Sequence, residues 1–262
     1  MAFDKYGPWA VITGGSDGIG EAFARQLAAE GINLVLVSRS AEKLEALASP
    51  LREAHGVDVH TLAIDLSEPG AIAAIQEATA GLEVGLYISN VGAVFGAGRF
   101  LRSEAADIER TIRLNSWSHA LLSHHFGTGM LSRGRGGIIL IGSMAGNAGG
   151  ASTVLYGAGK AFAQNFAEGL WSEVKPKGID VLYVVVGAVD TPKRQSLNIA
   201  DSPDQIVADP VDVAREALAA LPDGPVWVPQ HLREDFAYFC SAPRKEAAEA
   251  MTAMLKGFKR QS

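Results

Sequence analysis

The chain has 262 residues, of which 48% are hydrophobic and 20% are charged. This balance is ordinary for a folded globular protein and excludes intrinsic disorder as its main state. The net charge of −6 disfavours a nucleic-acid partner, since such a partner would favour a basic surface.

Seven short runs rich in Val and Ile are predicted to be β-strands. They are nearly continuous in apolar character, which is typical of strands buried on both faces of a parallel sheet. The runs are residues 9–13, 33–38, 57–64, 84–89, 137–143, 180–186 and 226–229.

Helical segments separate these strands, and three of them have a recognisable start. The candidate N-terminal caps are Ser40, Ser67 and Asp209, the last followed directly by a proline. Seven strands alternating with helices predict an α/β fold with a doubly wound parallel sheet flanked by helices. No linker or repeat divides the chain, so we expect a single domain.

Two predicted helices, over about residues 104–127 and 152–174, each carry two apolar stripes. One stripe suffices to pack on a sheet, so the second stripe indicates contact with another surface. That surface is either the chain's own loops or a second copy of the chain. We favour the second copy, in a homodimer or homotetramer that packs these helices together.

Cys240 is the only cysteine, so no internal disulfide can form, and a reducing cytoplasmic location is the economical interpretation. No window approaches the ~20 apolar residues that a membrane span requires, and no signal peptide is evident. The six histidines have no carboxylate at ligand spacing, so no metal site is expected.

Residues 13–20, TGGSDGIG, follow the first predicted strand and open the first helix. Glycines there let a pyrophosphate approach the backbone, and the helix N-terminus offers free N–H donors. The spacing differs from G-x-G-x-x-G, and a tight strand-to-helix turn is the plain alternative. The position after the opening strand favours a nucleotide-binding loop.

A second motif combines a serine, a tyrosine and a lysine. Tyr156 and Lys160 are four residues apart, so they share one face of a helix. Ser143 ends a predicted strand, at the edge where open α/β sheets place their ligands. Each residue taken singly has an ordinary structural explanation, and isolated Tyr-x3-Lys matches are common.

Together with Asn115, these motifs resemble the short-chain dehydrogenase/reductase family in their order and spacing, over about residues 9–191. The resemblance implies one Rossmann-type domain over residues 1–262, with a substrate loop at about 190–208 and a C-terminal extension at about 209–262. It also implies a nicotinamide cofactor and reversible hydride transfer between an alcohol and a ketone or aldehyde.

The family's catalytic roles carry over to four positions. Tyr156 is then the proton donor or acceptor, and Ser143 orients the substrate oxygen. Lys160 holds the ribose hydroxyls of the cofactor, and Asn115 completes a water-linked proton relay. An unperturbed tyrosine has a pKa near 10, so a base near pH 7 needs a depression of about three units, or ~4 kcal/mol. An exposed ion pair contributes only about 0.2–1 kcal/mol, so the Tyr156–Lys160 pair is expected to be partly desolvated.

The second strand decides the preferred cofactor. NAD enzymes usually place an acidic residue after it, but this chain has Ser38-Arg39, and an arginine can bind a 2′-phosphate. Although Arg39 could be merely a solvated loop residue, we favour NADP(H) over NAD(H). The resemblance predicts a cofactor site of Gly14, Ser16, Gly18, Ile19, Gly20, Ser38, Arg39, Asp65, Leu66, Asn90, Gly92, Tyr156, Lys160, Gly187, Val189 and Thr191.

The chain departs from the family pattern at two turns. Ser89-Asn90-Val91-Gly92 replaces the usual Asn-Asn-Ala-Gly, and Val186 replaces the proline of the usual Pro-Gly. The first change keeps the residues that shape the turn. The second puts the stiffness of its turn in doubt, but not cofactor binding.

The candidate substrate-pocket residues are small or apolar: Val94, Phe95, Met144, Ala145 and Ala188. They indicate a lipophilic carbonyl or alcohol, and the sequence resembles hydroxysteroid dehydrogenases and 3-oxoacyl reductases. We therefore predict an NADP-dependent carbonyl reductase or alcohol dehydrogenase. The alternatives are a regulatory protein that senses NADP(H) without turnover and an epimerase or dehydratase that uses the same tyrosine.

Overall fold

The computed structural model describes residues 4–93, 95, 99–196 and 206–255. Seven strands form its main sheet: β1 (Trp9–Thr13), β2 (Asn33–Ser38), β3 (Val59–Ala63), β4 (Val84–Ser89), β5 (Gly136–Ile141), β6 (Ile179–Val184) and β9 (Val226–Trp227). All neighbouring pairs are parallel, in the order β3-β2-β1-β4-β5-β6-β9. Two short strands, β7 (Ala188–Val189) and β8 (Val207–Ala208), pair separately.

Helices cover both faces of this sheet, as the alternating pattern predicts. One face packs against α1 (Gly18–Ala29), α2 (Ala41–His55) and α8 (Pro210–Ala220). The other face carries α3 (Ala71–Ala78), α4 (Ala105–Ile112), α5 (Ser118–Arg133), α6 (Val154–Val174), α9 (Arg233–Ser241) and α10 (Arg244–Met254). A short helix, α7 (Pro192–Ser196), comes after β7. The predicted doubly wound α/β fold is confirmed, with a buried apolar core on each side of the sheet.

Several predicted strand boundaries are wrong by one or two residues. The run 137–143 stops at Ile141, because the Ser143 side chain accepts from the Ala145 N–H and starts a 3₁₀ turn. The run 57–64 begins at Val59, because the Asp58 N–H donates to the Asn33 side chain. The sequence shows no sign of β7 and β8, since strands of two residues are too short for a periodic pattern.

The predicted helix over 104–127 is present, but it is not a regular α-helix and it runs on to Arg133. It is interrupted by a π-helical turn, Arg113–Trp117, between α4 and α5. A π turn inserts one residue into the helix and so rotates α5 relative to α4 about the helix axis. Ile112 is therefore exposed, although its spacing placed it on one face with Asn115 and His119, which are both fully buried.

Two of the three predicted helix caps are confirmed. The Ser40 hydroxyl accepts from the Lys43 N–H, and the Asp209 carboxylate accepts from the Val211 N–H. Ser67 is not a cap, because α3 starts only at Ala71 and the Ser67 hydroxyl donates to Asp65 instead. Within the described ranges, no helix combines the length and the apolar character that crossing a membrane would require.

A buried carboxylate fastens the N-terminal segment to the sheet. Asp180, at 1% exposure on β6, accepts hydrogen bonds from Lys5 (2.5 Å), Tyr6 (2.6 Å) and Lys175 (2.8 Å). The Tyr6 ring fills the space above Gly137 on β5, where a Cβ would lie 2.9 Å from the ring. The pKa of Asp180 is raised by burial but held below its ordinary value by the three donors.

Candidate active site

The carboxyl ends of β1 to β6 border one cleft of about 700 Å³, a size typical of small-molecule sites. Most of the predicted site residues line it: Gly14, Ser16, Gly18, Ile19, Ser38, Arg39, Asp65, Leu66, Asn90, Gly92, Phe95, Tyr156, Lys160, Gly187, Ala188, Val189 and Thr191. The topology of a parallel sheet brings these distant segments together, because all of its strands end at the same edge.

The glycine-rich turn after β1 is closely packed. Gly14 and Gly18 have positive φ, and a Cβ on Gly14 would lie 2.6 Å from the Asn90 carbonyl oxygen. Gly20 does not line the cleft, because it packs directly against the Gly14 carbonyl. The Asp17 side chain bonds to Lys43 and does not cap α1. The first turn of α1 therefore faces the cleft with N–H groups that this side chain does not cover, which suits an anion.

The end of the cleft beyond β2 and β3 is polar. The Ser38 hydroxyl oxygen is buried without a hydrogen-bond partner among the described residues. Burial raises the pKa of Asp65, but hydrogen bonds from Ser67 and the charges of Arg39 and Arg110 hold it below its ordinary value. Asp65, which follows β3, is therefore an ionised acceptor beside Arg39. The residues directly after β2 in the chain, Arg39-Ser40-Ala41, include no carboxylate.

Tyr156 lies on the first turns of α6 and lines the cleft, and the Ser143 side chain is near enough to influence its pKa. Burial raises the pKa of Tyr156, and the neighbouring Ser143 side chain acts more weakly in the opposite direction. The protein's own groups therefore do not lower the pKa of Tyr156 in the way that a base near pH 7 requires. They hold Tyr156 as a neutral phenol, which can donate a proton.

Lys160 lies one turn further along α6 and is only 3% exposed, so the expected desolvation of the pair is observed. Its ammonium donates to the carbonyls of Ile141 (2.7 Å) and Val91 (3.3 Å) and lies 5.7 Å from the centre of the Tyr156 ring. Burial, with a smaller contribution from the charge of Lys193, lowers the pKa of Lys160 to about 7.

Asn115 lies in the π-helical turn, behind the cleft rather than on its wall. Its side-chain amide donates to the carbonyls of Ala93 (2.8 Å) and Thr111 (2.9 Å), so it holds the loop after β4. Gly159 lets α6 approach, since a Cβ there would lie 2.6 Å from the Asn115 Cβ.

The predicted substrate residues separate into two groups. Phe95 and Ala188 line the cleft, and the Phe95 ring stacks 4.3 Å from the Arg110 guanidinium. The structure does not bring Met144 and Ala145 to the cleft wall, because both are buried in the core beneath it. Val94 lies outside the described residues, as do residues 197–205 of the expected substrate loop.

Three residues that the sequence did not single out make hydrogen bonds to segments around the cleft. Lys193 on α7 donates to the Gly92 carbonyl (2.9 Å), and both residues line the cleft. The Thr252 hydroxyl on α10 accepts from the Ala151 N–H (3.0 Å), so the C-terminal helix braces the segment between Ser143 and Tyr156. Tyr183 on β6 hydrogen-bonds to the backbone of both Ser143 and Lys160. No sequence motif marks these residues, because each depends on a contact between distant segments.

Comparison with known proteins adds two similar sequences. The family model described as short chain dehydrogenase matches residues 8–202. The chain is 33% identical to a 7beta-hydroxysteroid dehydrogenase of Collinsella aerofaciens over 83% of this chain and 84% of that protein. It is 37% identical to a very-long-chain 3-oxoacyl-CoA reductase of Podospora anserina over 78% of this chain, but spans only 62% of that longer protein.

Two solved structures share the fold over most of its length. A structure described for 7beta-hydroxysteroid dehydrogenase stereoselectivity superposes with a TM-score of 0.89 at 29% identity, covering 95% of this chain and 98% of its own. A short-chain dehydrogenase from Sphingobium yanoikuyae in complex with NADPH superposes with a TM-score of 0.77 at 33% identity, covering 87% of this chain and 91% of its own.

Proposed function

The chain belongs to the short-chain dehydrogenase family, and on that premise we propose that it transfers a hydride between NADP(H) and a lipophilic ketone or secondary alcohol. One observation carries the proposal: Tyr156 and the buried Lys160 line the same cleft as the glycine-rich turn, and the Ser143 side chain is near enough to act on Tyr156. Phosphate-binding features and proton-transfer groups therefore share one cavity.

Tyr156 is the proposed proton donor. Its phenol is held neutral, which is the form that carbonyl reduction requires. The Ser143 side chain acts on the pKa of Tyr156, so the two hydroxyls are neighbours and we propose that one substrate oxygen contacts both. The ammonium of Lys160, 5.7 Å from the Tyr156 ring centre, favours the phenolate that remains after proton donation. In the reverse direction, the phenolate form of Tyr156 accepts the proton of the alcohol and becomes the neutral phenol again.

The residues around the cleft fit a nicotinamide dinucleotide. The glycine-rich turn and the uncapped start of α1 suit its pyrophosphate. Arg39 and the Ser38 hydroxyl, which has no hydrogen-bond partner within the described ranges, suit the adenosine end. Gly187, Val189 and Thr191 are the proposed contacts at the opposite end. When bound, the cofactor supplies or accepts the hydride. The NADPH-bound relative from Sphingobium yanoikuyae supports this choice of cofactor.

Replacing Arg39 by Ala is expected to weaken NADPH binding by about 10- to 100-fold and to leave NADH binding nearly unchanged. A hydrogen bond to a charged group contributes about 1.5–3 kcal/mol, and only NADPH carries the 2′-phosphate. Fluorescence titration of both cofactors measures the two dissociation constants. Arg25→Ala is the control, because Arg25 pairs with Glu21 on the solvent side of α1. Equal loss for both cofactors in Arg39→Ala would argue against this role.

The substrate class is proposed from the relatives and from the cleft. The two relatives act, by their names, on a hydroxysteroid and on a 3-oxoacyl thioester, and both substrates are lipophilic. Phe95 and Ala188 contribute apolar lining to the same cleft as Tyr156. We therefore place the substrate among bulky apolar ketones and their alcohols.

A screen of NADPH oxidation tests the function directly. The panel contains ketosteroids, 3-oxoacyl thioesters, diketones and aryl ketones, with NADH in parallel. We expect turnover with at least one bulky ketone and a preference for NADPH. Cofactor binding without oxidation by any carbonyl would instead favour the NADP(H)-sensing alternative. The intact Ser143, Tyr156 and Lys160 set disfavours that alternative, because a sensor has no need of a proton-transfer group.

We also propose a homodimer or homotetramer that packs the π turn and α6 against a second copy. Apolar side chains are exposed there, among them Trp117 (53%) and Phe162 (39%). Trp117→Glu is expected to shift the protein toward monomer in sedimentation velocity, because it places a charge in the proposed interface. Leu101→Glu, which changes an exposed residue outside both helices, is the control. An unchanged sedimentation coefficient in Trp117→Glu would refute this interface.

Two further proposals complete this picture. A cytoplasmic location is inferred from the single cysteine, since secreted chains usually use cysteines in disulfides. The division of the domain into a substrate loop at about 190–208 and a C-terminal extension at about 209–262 is supported by the position of α7 beside the cleft.

A further inference from the structure

Tyr183 is a fully buried tyrosine at the centre of the molecule whose hydroxyl makes two long-range hydrogen bonds. It accepts from the Ser143 N–H (3.1 Å) and donates to the Lys160 carbonyl (3.1 Å). One phenol thus joins the strand end that carries Ser143 to the helix that carries Tyr156 and Lys160. Burial raises the pKa of Tyr183, so it stays protonated and able to donate.

The sheet leaves a gap that this hydroxyl fills. The N–H groups of Gly142 and Met144 pair with the β6-side carbonyls of Val184 (2.7 Å) and Val186 (3.0 Å). Successive N–H groups of a strand point to opposite sides, so the Ser143 N–H points away from β6. No carbonyl of β4 pairs with it, because β4 pairs with β5 only as far as Leu140. An unpaired buried amide would cost about 1–3 kcal/mol, and Tyr183 removes that cost.

Gly142 makes this contact possible. A Cβ at position 142 would overlap the Tyr183 ring and hydroxyl, so any larger residue would force the ring away. Gly142 and Tyr183 are therefore complementary in shape, directly beside the serine of the active site.

We propose that Tyr183 is a positioning residue for the hydride-transfer reaction, which fixes Ser143 relative to Tyr156 and Lys160 through these two backbone contacts. The inference rests on the proposed function. Tyr183 does not line the cleft, so it acts only through the residues that it holds. A misplacement of about 1 Å among reacting groups can lower the rate by about 100-fold, so a loss of this brace is expected to affect turnover.

Tyr183→Phe tests the proposal, because it removes the hydroxyl and keeps the ring. With the best ketone from the screen, we expect kcat to fall by about 10- to 100-fold. KM for NADPH should change much less than kcat, because Lys160 is proposed to contact only the ribose and the proposed phosphate and 2′-phosphate contacts do not depend on Tyr183. Fluorescence titration with NADPH and thermal unfolding show that the variant is folded.

Tyr87→Phe is a matched control. Tyr87 is equally buried, on β4 of the same sheet, and its polar neighbours are Ser89 and Thr13. Its hydroxyl has no hydrogen-bond partner in the part of the chain that the structure describes. Removing it should leave kcat within about twofold, so a loss confined to Tyr183→Phe cannot come from a general loosening of the core.

A double-mutant cycle separates positioning from a general structural role. If Tyr183 acts through Ser143, adding Tyr183→Phe to Ser143→Ala should lower kcat by less than about threefold further. A full additional loss in that background, or a wild-type kcat in Tyr183→Phe, would overturn the proposal. These outcomes differ from failure of the proposed function, in which the wild-type protein itself turns over no carbonyl or alcohol.

Discussion

Tyr156→Phe is expected to lower NADPH-dependent ketone reduction by about 10²- to 10⁴-fold, the range for loss of a general acid. The substitution removes one hydroxyl and keeps the ring in place beside Lys160. NADPH affinity should stay within about twofold, since the proposed phosphate and 2′-phosphate contacts are elsewhere in the cleft. Steady-state kinetics and fluorescence titration of NADPH measure the two effects separately.

Tyr238→Phe is the control for this prediction, because Tyr238 lies exposed on α9. Its kinetics should match those of the wild type. Appreciable residual hydride transfer in Tyr156→Phe would remove Tyr156 from the role of proton donor. A parallel loss of NADPH affinity would instead show that the substitution disrupts the cleft. Ser143→Ala would then test the proposed proton-transfer site in its place.

Asp180→Asn is expected to lower the free energy of unfolding by about 3 kcal/mol. Breaking a buried ion pair typically costs about 3–5 kcal/mol, and the low end applies because the two lysine side chains are 38% and 37% exposed and can recover water. Since 1 kcal/mol corresponds to about 2–4 °C in a chain of this size, Tm should fall by roughly 6–12 °C. Calorimetry and urea unfolding measure both quantities.

The pH dependence of this loss has a defined sign. The pKa of Asp180 is lower in the folded protein than its ordinary value of 3.8. Its contribution is therefore present above pH 3.8 and disappears as the pH falls through the lower, folded value. The difference between wild type and Asp180→Asn should shrink below pH 3.8.

Asp212→Asn provides the contrast at the surface. Asp212 pairs with Arg215, but both side chains are 60% exposed, and water and salt screen such pairs so strongly that they add little to stability. We expect an almost unchanged Tm in this variant. A similar loss in both variants would show that the three donors around Asp180 add nothing specific.

The sequence alone was enough for the fold class. Continuous Val- and Ile-rich runs, alternating with capped helices, predict the parallel sheet, because a strand buried on both faces must be apolar throughout. The TGGSDGIG turn and the Tyr-x3-Lys spacing likewise mark the cleft, because their geometry is local: a turn after a strand, and one face of a helix.

Sequence reasoning fails where a non-local contact or an inserted residue decides the outcome. The π turn at 113–117 moves Ile112 to the surface, because one added residue changes the angle between the helix faces before and after the turn. Met144 and Ala145 come directly after Ser143 in the chain, yet the 3₁₀ turn that Ser143 caps directs them into the core.

The tertiary structure alone decided how the proposed catalytic groups are held. The sequence places Lys160 near Tyr156, but its burial arises only in the folded chain, and so does the pKa of about 7 that this burial and the charge of Lys193 produce. The same is true of Tyr183 and Asp180, whose long-range partners lie 23 to 175 residues away in the chain. Local spacing specifies which residues share a helix face or a strand end, whereas desolvation and long-range hydrogen bonds exist only once the sheet has brought those elements together.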